Sequence, residues 1–432
     1  MLPELTPALI AFIAQHRERT ADELLLRTQP MPGVPMAFVA QQVQARRELR
    51  SKLPSWVANE QLLFPARVSQ EQASSEATAL YKAATIGDYL LRARIPARRF
   101  ADITCGFGVD AVALAQQFSA GVLCERDADL AAVCAFNIAA LGHAGRLQVR
   151  AEDGVTWLST QPDDSFDLIY LDPARRDNAA RRVSALADCV PDVLQLLPLL
   201  LRKASVVLLK AAPMLDIDLA CRQLAAAVPD GTSNAAGIKP RVADVHVVAS
   251  AGDCKELLFI IERCHAAEPL PNAELTIVAV ELQADAPPHR FAFTRSEERA
   301  AEAALGMPEA YLYEPHAALT KAGAFRLVGQ RYDLRKLHAN THLYTSEVLR
   351  SDFPGRIFAI EARGPNTARA ARALFADGRA MVMARNAGAS ADVLRTRLGL
   401  RDGGDAFAIA CMTADGQIAL MRARRIAGPT LR

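Results

Sequence analysis

The sequence predicts an α/β protein organised around an open, mostly parallel sheet, and three observations carry that expectation. Successive short apolar runs each end in a carboxylate: FADIT with Asp102, GVLCERD at Glu125, LQVRAEDG at Asp153 and FDLIYLDPARR at Asp172. The first run opens directly into the turn CGFGVD, which places Gly106 and Gly108 where a helix begins. Strand and helix patterns then alternate regularly from about 79 to 265, as parallel strands with helical crossovers require. In such a sheet the carboxyl ends of the strands share one edge, and the ligand crevice lies outside it.

Residues 1–78 alternate helical patterns with Pro-rich breaks, and helices are expected over 8–19, 21–27 and 38–52. In the last, Phe38, Ala45 and Leu49 fall on one side and Arg46, Arg47 and Arg50 on the other, while Val39 and Val43 lie toward the basic side and break the pattern. The basic end reads either as a complement to the helix dipole or as an RNA contact. Ser69 with Gln72 has the spacing of a capping box, and Ser74, Ser75 and Thr78 precede Tyr81 and Lys82. That polarity has two readings, helix capping or a lid over a bound cofactor. Strands are expected at 99–104, 120–125, 146–150, 167–172 and 204–210, then a helix at 216–228 and a hairpin from VADVHVVAS and KELLFIIER across AGDC. Residues 266–345 open on the linker EPLPN, followed by strands at 275–282 and 289–294 and a helix at 296–305. The block 346–432 continues with a helix at 366–375, a strand at 380–384, a helix at 391–398, the turn at Gly403 and Gly404, and the strands DAFAIACM and IALMRAR, a small α+β pattern. Four segments result: 1–78, 79–265, 266–345 and 346–432.

Composition narrows the function classes. At 432 residues, 51% hydrophobic and 23% charged, the chain reads as soluble, globular and long enough for two or three cores. A net charge of +2 excludes a global basic field, so a nucleic-acid partner would be held by local arginine clusters. The eight cysteines never form C-x-x-C, which argues against zinc or a disulfide framework and for a reducing cytoplasm. The start MLPELTPALI lacks the marks of a signal peptide, and the apolar run at 193–201, broken by Pro198, is too short for a bilayer. His338 and His342 have a helical metal-ligand spacing without the intervening Glu of H-E-x-x-H and read as surface histidines; no metal is expected.

Four acids on one edge call for a ligand that is cationic or rich in hydroxyls. Glu125 follows Asp102 by about 20 residues, the separation at which such folds place the acid that holds a ribose. A nicotinamide fingerprint wants a third glycine where Ala111 stands, and Asp102 would repel a pyrophosphate. S-adenosylmethionine, with a sulfonium, an ammonium and a ribose, suits the edge better. Asp172, in Asp172-Pro173-Ala174-Arg175-Arg176, is placed to orient an acceptor N–H or take its proton, against the plain reading of a cap at a strand end. Arg175, Arg176, Arg181 and Arg182 form the densest basic cluster beside it, either for phosphates or as a solvated loop with Asp177 and Asp188. Lys210, closing the fifth strand, either meets the acceptor or pairs with one of the acids. Cys254, at the hairpin, reads as structural.

The stretches EQASSEATALYKA, DITCGFGVD, LIYLDPARRD, AAPMLDI, HVVASAGDCKELL, YEPHAALTKAG, HLYTS with FPGRIF, and LRDGGD cover nearly the whole chain. In them the sequence resembles the bacterial family of class I S-adenosylmethionine-dependent methyltransferases with a C-terminal THUMP-like domain. It departs at Ala211 and Ala212, where a serine is expected, and at RNAGAS, where an Asn-Phe-Pro turn is expected. The resemblance implies a Rossmann-like sheet of five parallel strands plus an edge hairpin, an N-terminal helical region, a small ferredoxin-like domain and a THUMP-like domain related to RNA-binding ones. The expected activity is methylation of a base in structured RNA, tRNA or rRNA; a protein or small-molecule acceptor, or a non-catalytic RNA-binding module, are the alternatives. Asp102, Thr104, Gly106 and Gly108 are expected at the methionine end of S-adenosylmethionine, Glu125 at its ribose and Asp153 at the adenine edge, with Phe107 and Arg126 also binding the cofactor. Asp172 and Lys210 are the expected catalytic pair, with Asp172 also near the cofactor, and Arg175 and Arg176 are expected to bind substrate.

Overall fold

The computed structural model describes residues 6–29, 32–175, 186–228, 237–265, 274–284 and 286–426. The chain divides into two compact units, Met1–Val245 with Leu257–Ala273, and His246–Glu256 with Glu274–Arg432.

In the first unit, β1 (Arg99–Asp102), β2 (Ala120–Cys124), β3 (Leu147–Arg150), β4 (Phe166–Leu171) and β5 (Ala204–Ala211) are parallel and ordered β5-β4-β1-β2-β3. The order reverses between β1 and β4, which is where an open α/β sheet opens its crevice. Every residue of β4 is buried, as a parallel strand covered on both faces must be. The expected hairpin is present as β6 (Ile238–Ser250) and β7 (Asp253–His265), with β7 antiparallel to β5 from Val206↔Glu262 to Ala211↔Leu257. β1 is shorter than the expected 99–104 because the chain leaves the ladder for the turn after Asp102.

The N-terminal helices are Pro7–Gln15, Ala21–Arg27, Met36–Glu48, Pro54–Ala58, Arg67–Gln72 and Glu76–Ala93. Met36–Glu48 is buried on two sides, which explains its broken pattern. Val39, Ala40 and Val43 pack with Leu9, Ile13 and Leu24, whereas Ala45 joins Leu49, Leu53, Trp56 and Phe64 around Phe107 and Val109 of the glycine turn. Arg46, expected on the basic side as a complement to the helix dipole or an RNA contact, donates to the carbonyls of Val57, Asn59, Glu60 and Leu62 at 2.7–3.2 Å. Burial lowers its pKa against the opposing charge of Glu60. The expected capping box at Ser69 is absent, since Ser69 lies inside Arg67–Gln72 and the N-cap residue Ala66 has no side-chain bond. The capping serine is Ser75, whose hydroxyl accepts the Thr78 N–H at 3.2 Å and starts Glu76–Ala93.

In the second unit, β8 (Thr276–Leu282) and β9 (His289–Thr294) are antiparallel, and the hairpin tip His246–Glu256 is part of this unit. The helix expected over 296–305 is the shorter Arg295–Ala300, started by a capping box of Thr294 and Glu297. A second sheet takes β10 (Tyr311–Pro315), β11 (Arg335–His338), β12 (Thr341–Ser346), β13 (Gly355–Pro365), β14 (Met381–Arg385), β15 (Phe407–Met412) and β16 (Ile418–Ile426) in the order β11-β12-β10-β13-β16-β15-β14. Helices Ala368–Leu374 and Ala391–Leu398 pack on it through Ala371, Leu394 and Leu398. Glu314, in β10, is gripped by Arg356 Nε at 2.6 Å and Arg385 Nε at 2.7 Å. His338 and His342 stand on the two strands of a hairpin, so their spacing is not helical; the His342 ring stacks on Phe325 at 3.7 Å. Among the described residues no helix is long and apolar enough to cross a membrane, and no group of three His, Cys, Asp or Glu is placed to hold a metal.

Candidate active site

β1 ends in Asp102, which is 1% exposed. Its Oδ1 accepts the Thr104 N–H at 3.0 Å, and its Oδ2 is buried with no hydrogen-bond partner. Burial raises its pKa well above the usual carboxylate range against that single N–H, and the neighbouring Asp110, Asp172 and Glu125 raise it further. A buried carboxylate oxygen left unpaired is costly, so this position fits a ligand group that donates or carries positive charge.

Gly106 and Gly108 have φ of +56° and +94°, the left-handed region that side chains disfavour. Their demands differ. A Cβ on Gly106 would meet nothing within 4 Å, so this glycine keeps space open, whereas a Cβ on Gly108 would lie 2.9 Å from Cys134 Sγ. Phe107 between them is 2% exposed and packs edge-on against Trp56 at 5.6 Å. Its ring therefore belongs to the core, and its backbone is what the turn presents.

Glu125, after β2, is tied to this turn: the Gly106 N–H donates to Oε2 at 3.1 Å and the Asp127 N–H to Oε1 at 2.9 Å, leaving each oxygen a further lone pair. Thr104 Oγ1 accepts the Asp172 N–H at 2.7 Å, joining the ends of β1 and β4 across the switch point. Asp172 Oδ2 accepts from Lys210 Nζ at 2.5 Å, so Lys210 is the acid's ion-pair partner. Asp102, Thr104, Gly106, Gly108, Glu125, Asp172 and Lys210 thus come together on one edge.

Other expected site residues stand differently. Asp153 is exposed and caps helix Gly154–Thr160, accepting the Thr156 N–H at 2.8 Å and its hydroxyl at 3.0 Å. Arg126 is exposed beside Glu125. Arg175 lies in a two-residue strand, Ala174–Arg175, paired with Cys189–Val190; its side chain, with Arg176, Arg181 and Arg182, lies outside the described residues. Sequence reasoning missed Asp110 and Tyr170: the Tyr170 hydroxyl donates to Asp110 Oδ2 at 2.8 Å, beside Asp102 and Asp172. A cavity of about 500 Å³ at the amino ends of β2 and β3, lined by Ala120, Gly121, Arg146 and Leu147, holds no carboxylate and is remote from this edge.

A THUMP domain-like family model matches residues 355–424, and a ferredoxin-like domain model matches residues 311–354. No curated protein matches the chain. Among solved structures, the chain is similar to a candidate methyltransferase from Porphyromonas gingivalis W83, at 33% identity over 99% of this chain and 100% of that one, with a TM-score of 0.79. Two shorter likenesses are to a candidate rRNA-methylase from Clostridium thermocellum, at 13% identity over 42% and 96% with a TM-score of 0.29, and to an O-methyltransferase from Bacillus cereus in complex with SAH, at 15% identity over 50% and 99% with a TM-score of 0.30. The full-length likeness, set beside the sheet order and the two C-terminal matches, makes this chain a member of the bacterial family of class I methyltransferases with a C-terminal THUMP-like domain.

Proposed function

We propose that this protein transfers a methyl group from S-adenosylmethionine to a base in structured RNA, tRNA or rRNA, in the cytoplasm. The observation that carries the reading is the buried, unpartnered Oδ2 of Asp102 at the switch point, with Glu125 and Asp172 on the same edge. A phosphate brings neither a donor for that oxygen nor positive charge for its acidic neighbours. An ammonium brings both and, by pairing with Asp102, favours release of the proton that burial holds on it. The open space over Gly106 lets such a ligand approach the backbone.

S-adenosylmethionine supplies an activated methyl group. Asp102 and the Thr104 to Gly108 backbone hold its methionine end, Glu125 its ribose and Asp153 the adenine side, with Arg126 also at the cofactor. Transfer from a sulfonium needs alignment of the acceptor more than covalent help. Asp172, held by the Thr104 hydroxyl and Lys210, orients the acceptor N–H and takes its proton.

Charge distribution supports RNA as the acceptor. Residues 355–426 carry twelve arginines and no lysine against six carboxylates, a surplus of six in a chain whose total is +2. Arg369, Arg372 and Arg397 are exposed on the two helices of this segment, where phosphates can reach them. On this reading residues 1–78 and 79–265 form the helical region and the cofactor domain, and 266–345 and 346–432 present substrate.

The test is transfer of labelled methyl from S-adenosylmethionine into total RNA from cells lacking the gene, beside RNA from cells that have it. Label entering only the deficient RNA is the expected result. Label that survives RNase digestion moves the acceptor to protein, and tight cofactor binding with no transfer to any fraction makes the protein a binding module.

A further inference from the structure

Four side chains that this chemistry does not use meet beside the glycine turn. Lys82, on helix Glu76–Ala93, has no exposed surface; its Nζ donates to Ser74 Oγ at 3.0 Å and lies 3.2 Å from Asp110 Oδ1. Asp110 Oδ2 accepts from the Ser74 and Tyr170 hydroxyls, both at 2.8 Å. Withdrawing an ammonium and a carboxylate from water is costly unless further hydrogen bonds complete the pair, and here two hydroxyls do so.

The connectivity of the four residues is informative. Asp110 lies in the first turn of helix Val109–Leu114, two residues past Gly108. Tyr170 lies in β4 two residues before Asp172, which follows the last residue of that strand. Ser74 and Lys82 come from the segment before β1, whose polarity reads from sequence only as capping or a lid. The charged groups facing Asp110 are Lys82 from that segment, Lys210 from β5 and Asp102 from β1. Burial works against its charge, but Lys82 and Lys210, with the bonds from Tyr170 and Ser74, hold its pKa below the usual carboxylate value.

We propose that Lys82 is a positioning residue for cofactor binding: its ion pair with Asp110 fixes the helix that begins behind Gly106 and Gly108 and, through Tyr170, the end of β4 that carries Asp172. The inference rests on the S-adenosylmethionine reading of the site. Neither Lys82 nor Asp110 touches the ligand on this account. They hold the turn that does.

The test is calorimetric binding of S-adenosylhomocysteine, which needs no turnover, by the full-length protein and by K82M, D110N and K82M/D110N, each at a temperature where it is folded by circular dichroism. K82M, which leaves the Asp110 carboxylate without its ammonium, is expected to bind at least tenfold more weakly at pH 8. D110N, which strands the ammonium, is expected to bind more weakly than wild type. The double variant, which buries no unpaired charge, is expected to bind within threefold of wild type at pH 8. A K82M affinity within twofold of wild type at pH 8, or a double variant as weak as K82M, overturns the proposal, because a pair that only stabilises the fold would move the melting temperature and leave the folded fraction binding normally. If K82M does not fold, S74A takes its place, with a threefold loss expected and no loss overturning the inference. Wild-type protein that fails to bind S-adenosylhomocysteine defeats the cofactor reading itself, an outcome distinct from normal binding that ignores Lys82.

Discussion

Gly106 and Gly108 stand two residues apart in one turn, both left-handed, yet an added methyl group separates them. For Gly106→Ala the cost to the fold is the backbone alone, about 1 kcal/mol for an alanine at φ +56°, since the new Cβ meets nothing within 4 Å. For Gly108→Ala the same strain is joined by a Cβ placed 2.9 Å from Cys134 Sγ, which is buried and has little room to yield. Overpacking of that kind adds about 1–3 kcal/mol, for a total of roughly 2–4 kcal/mol. At about 2–4 °C per kcal/mol for a unit of this size, melting of the first unit should fall a few degrees for Gly106→Ala and by roughly 5–15 °C for Gly108→Ala. Cofactor binding should rank the other way relative to stability. The Gly106→Ala methyl group occupies the space through which a ligand reaches the backbone, and at least a tenfold loss of S-adenosylhomocysteine affinity, about 1.4 kcal/mol, is expected from a variant that melts almost normally. Gly108→Ala/Cys134→Ala removes the sulfur and should return the steric part of the stability loss. A Gly106→Ala protein that binds S-adenosylhomocysteine like wild type would refute the assignment of that space to the cofactor. A Gly108→Ala protein that melts like wild type would show that Gly108 is not pressed against Cys134.

Glu125→Ala should weaken S-adenosylhomocysteine binding sharply while Asp172→Ala spares it and abolishes methyl transfer; equal losses in the two titrations would remove the division of labour between them. Asp102 holds a proton in the folded state at pH values where the unfolded chain has released it, so the fold loses stability as pH rises from about 4 toward its raised pKa. Asp102→Asn should flatten that part of a melting-against-pH curve recorded without ligand, and a variant curve parallel to wild type counts against the raised pKa. Glu314→Gln leaves Arg356 and Arg385 facing a neutral amide. Because those arginines are 33% and 43% exposed and water screens them, the cost in denaturant unfolding of the second unit should be about 2 kcal/mol, below the 3–5 typical of a fully buried pair.

The parallel sheet was legible because its information is local. Each of β1 to β5 is a short apolar run closed by a carboxylate or a turn, and β1, β2 and β4 begin within a residue of where the pattern places them. Asp102, Glu125 and Asp172 followed from the same pattern, since strand ends on one edge imply neighbouring acids before any side chain is placed. What was not legible depends on partners far along the chain. A helical wheel puts Arg46 on the basic side and cannot show the four carbonyls, 11 to 16 residues further on, that take its guanidinium. Nor can it show that Met36–Glu48 has a second buried face, on which Val39 and Val43 meet Leu9, Ile13 and Leu24. Phe107 sits between the two glycines of the turn after β1, and only the position of Trp56, 51 residues earlier, shows that its ring points into the core.

Lys82 is the instructive case, because a signal was present. Ala79, Lys82, Ala83, Ile86, Tyr89 and Leu90 recur at helical spacing along the buried face of Glu76–Ala93, and a lysine within an apolar stripe needs a buried anion or a route to water. The sequence offers many carboxylates and no means of choosing Asp110, which reads instead as an ordinary acid in the first turn of a helix, favourable there for the dipole alone. The same holds for Tyr170, which as an aromatic in a buried strand needs no explanation until its hydroxyl must be satisfied. Three residues with adequate local readings thus share one non-local reason, the ion pair beside the glycine turn. A lysine on an apolar helical stripe upstream of a strand, glycine turn and acid is therefore a reason to look for its counter-ion in the first turn after the glycines.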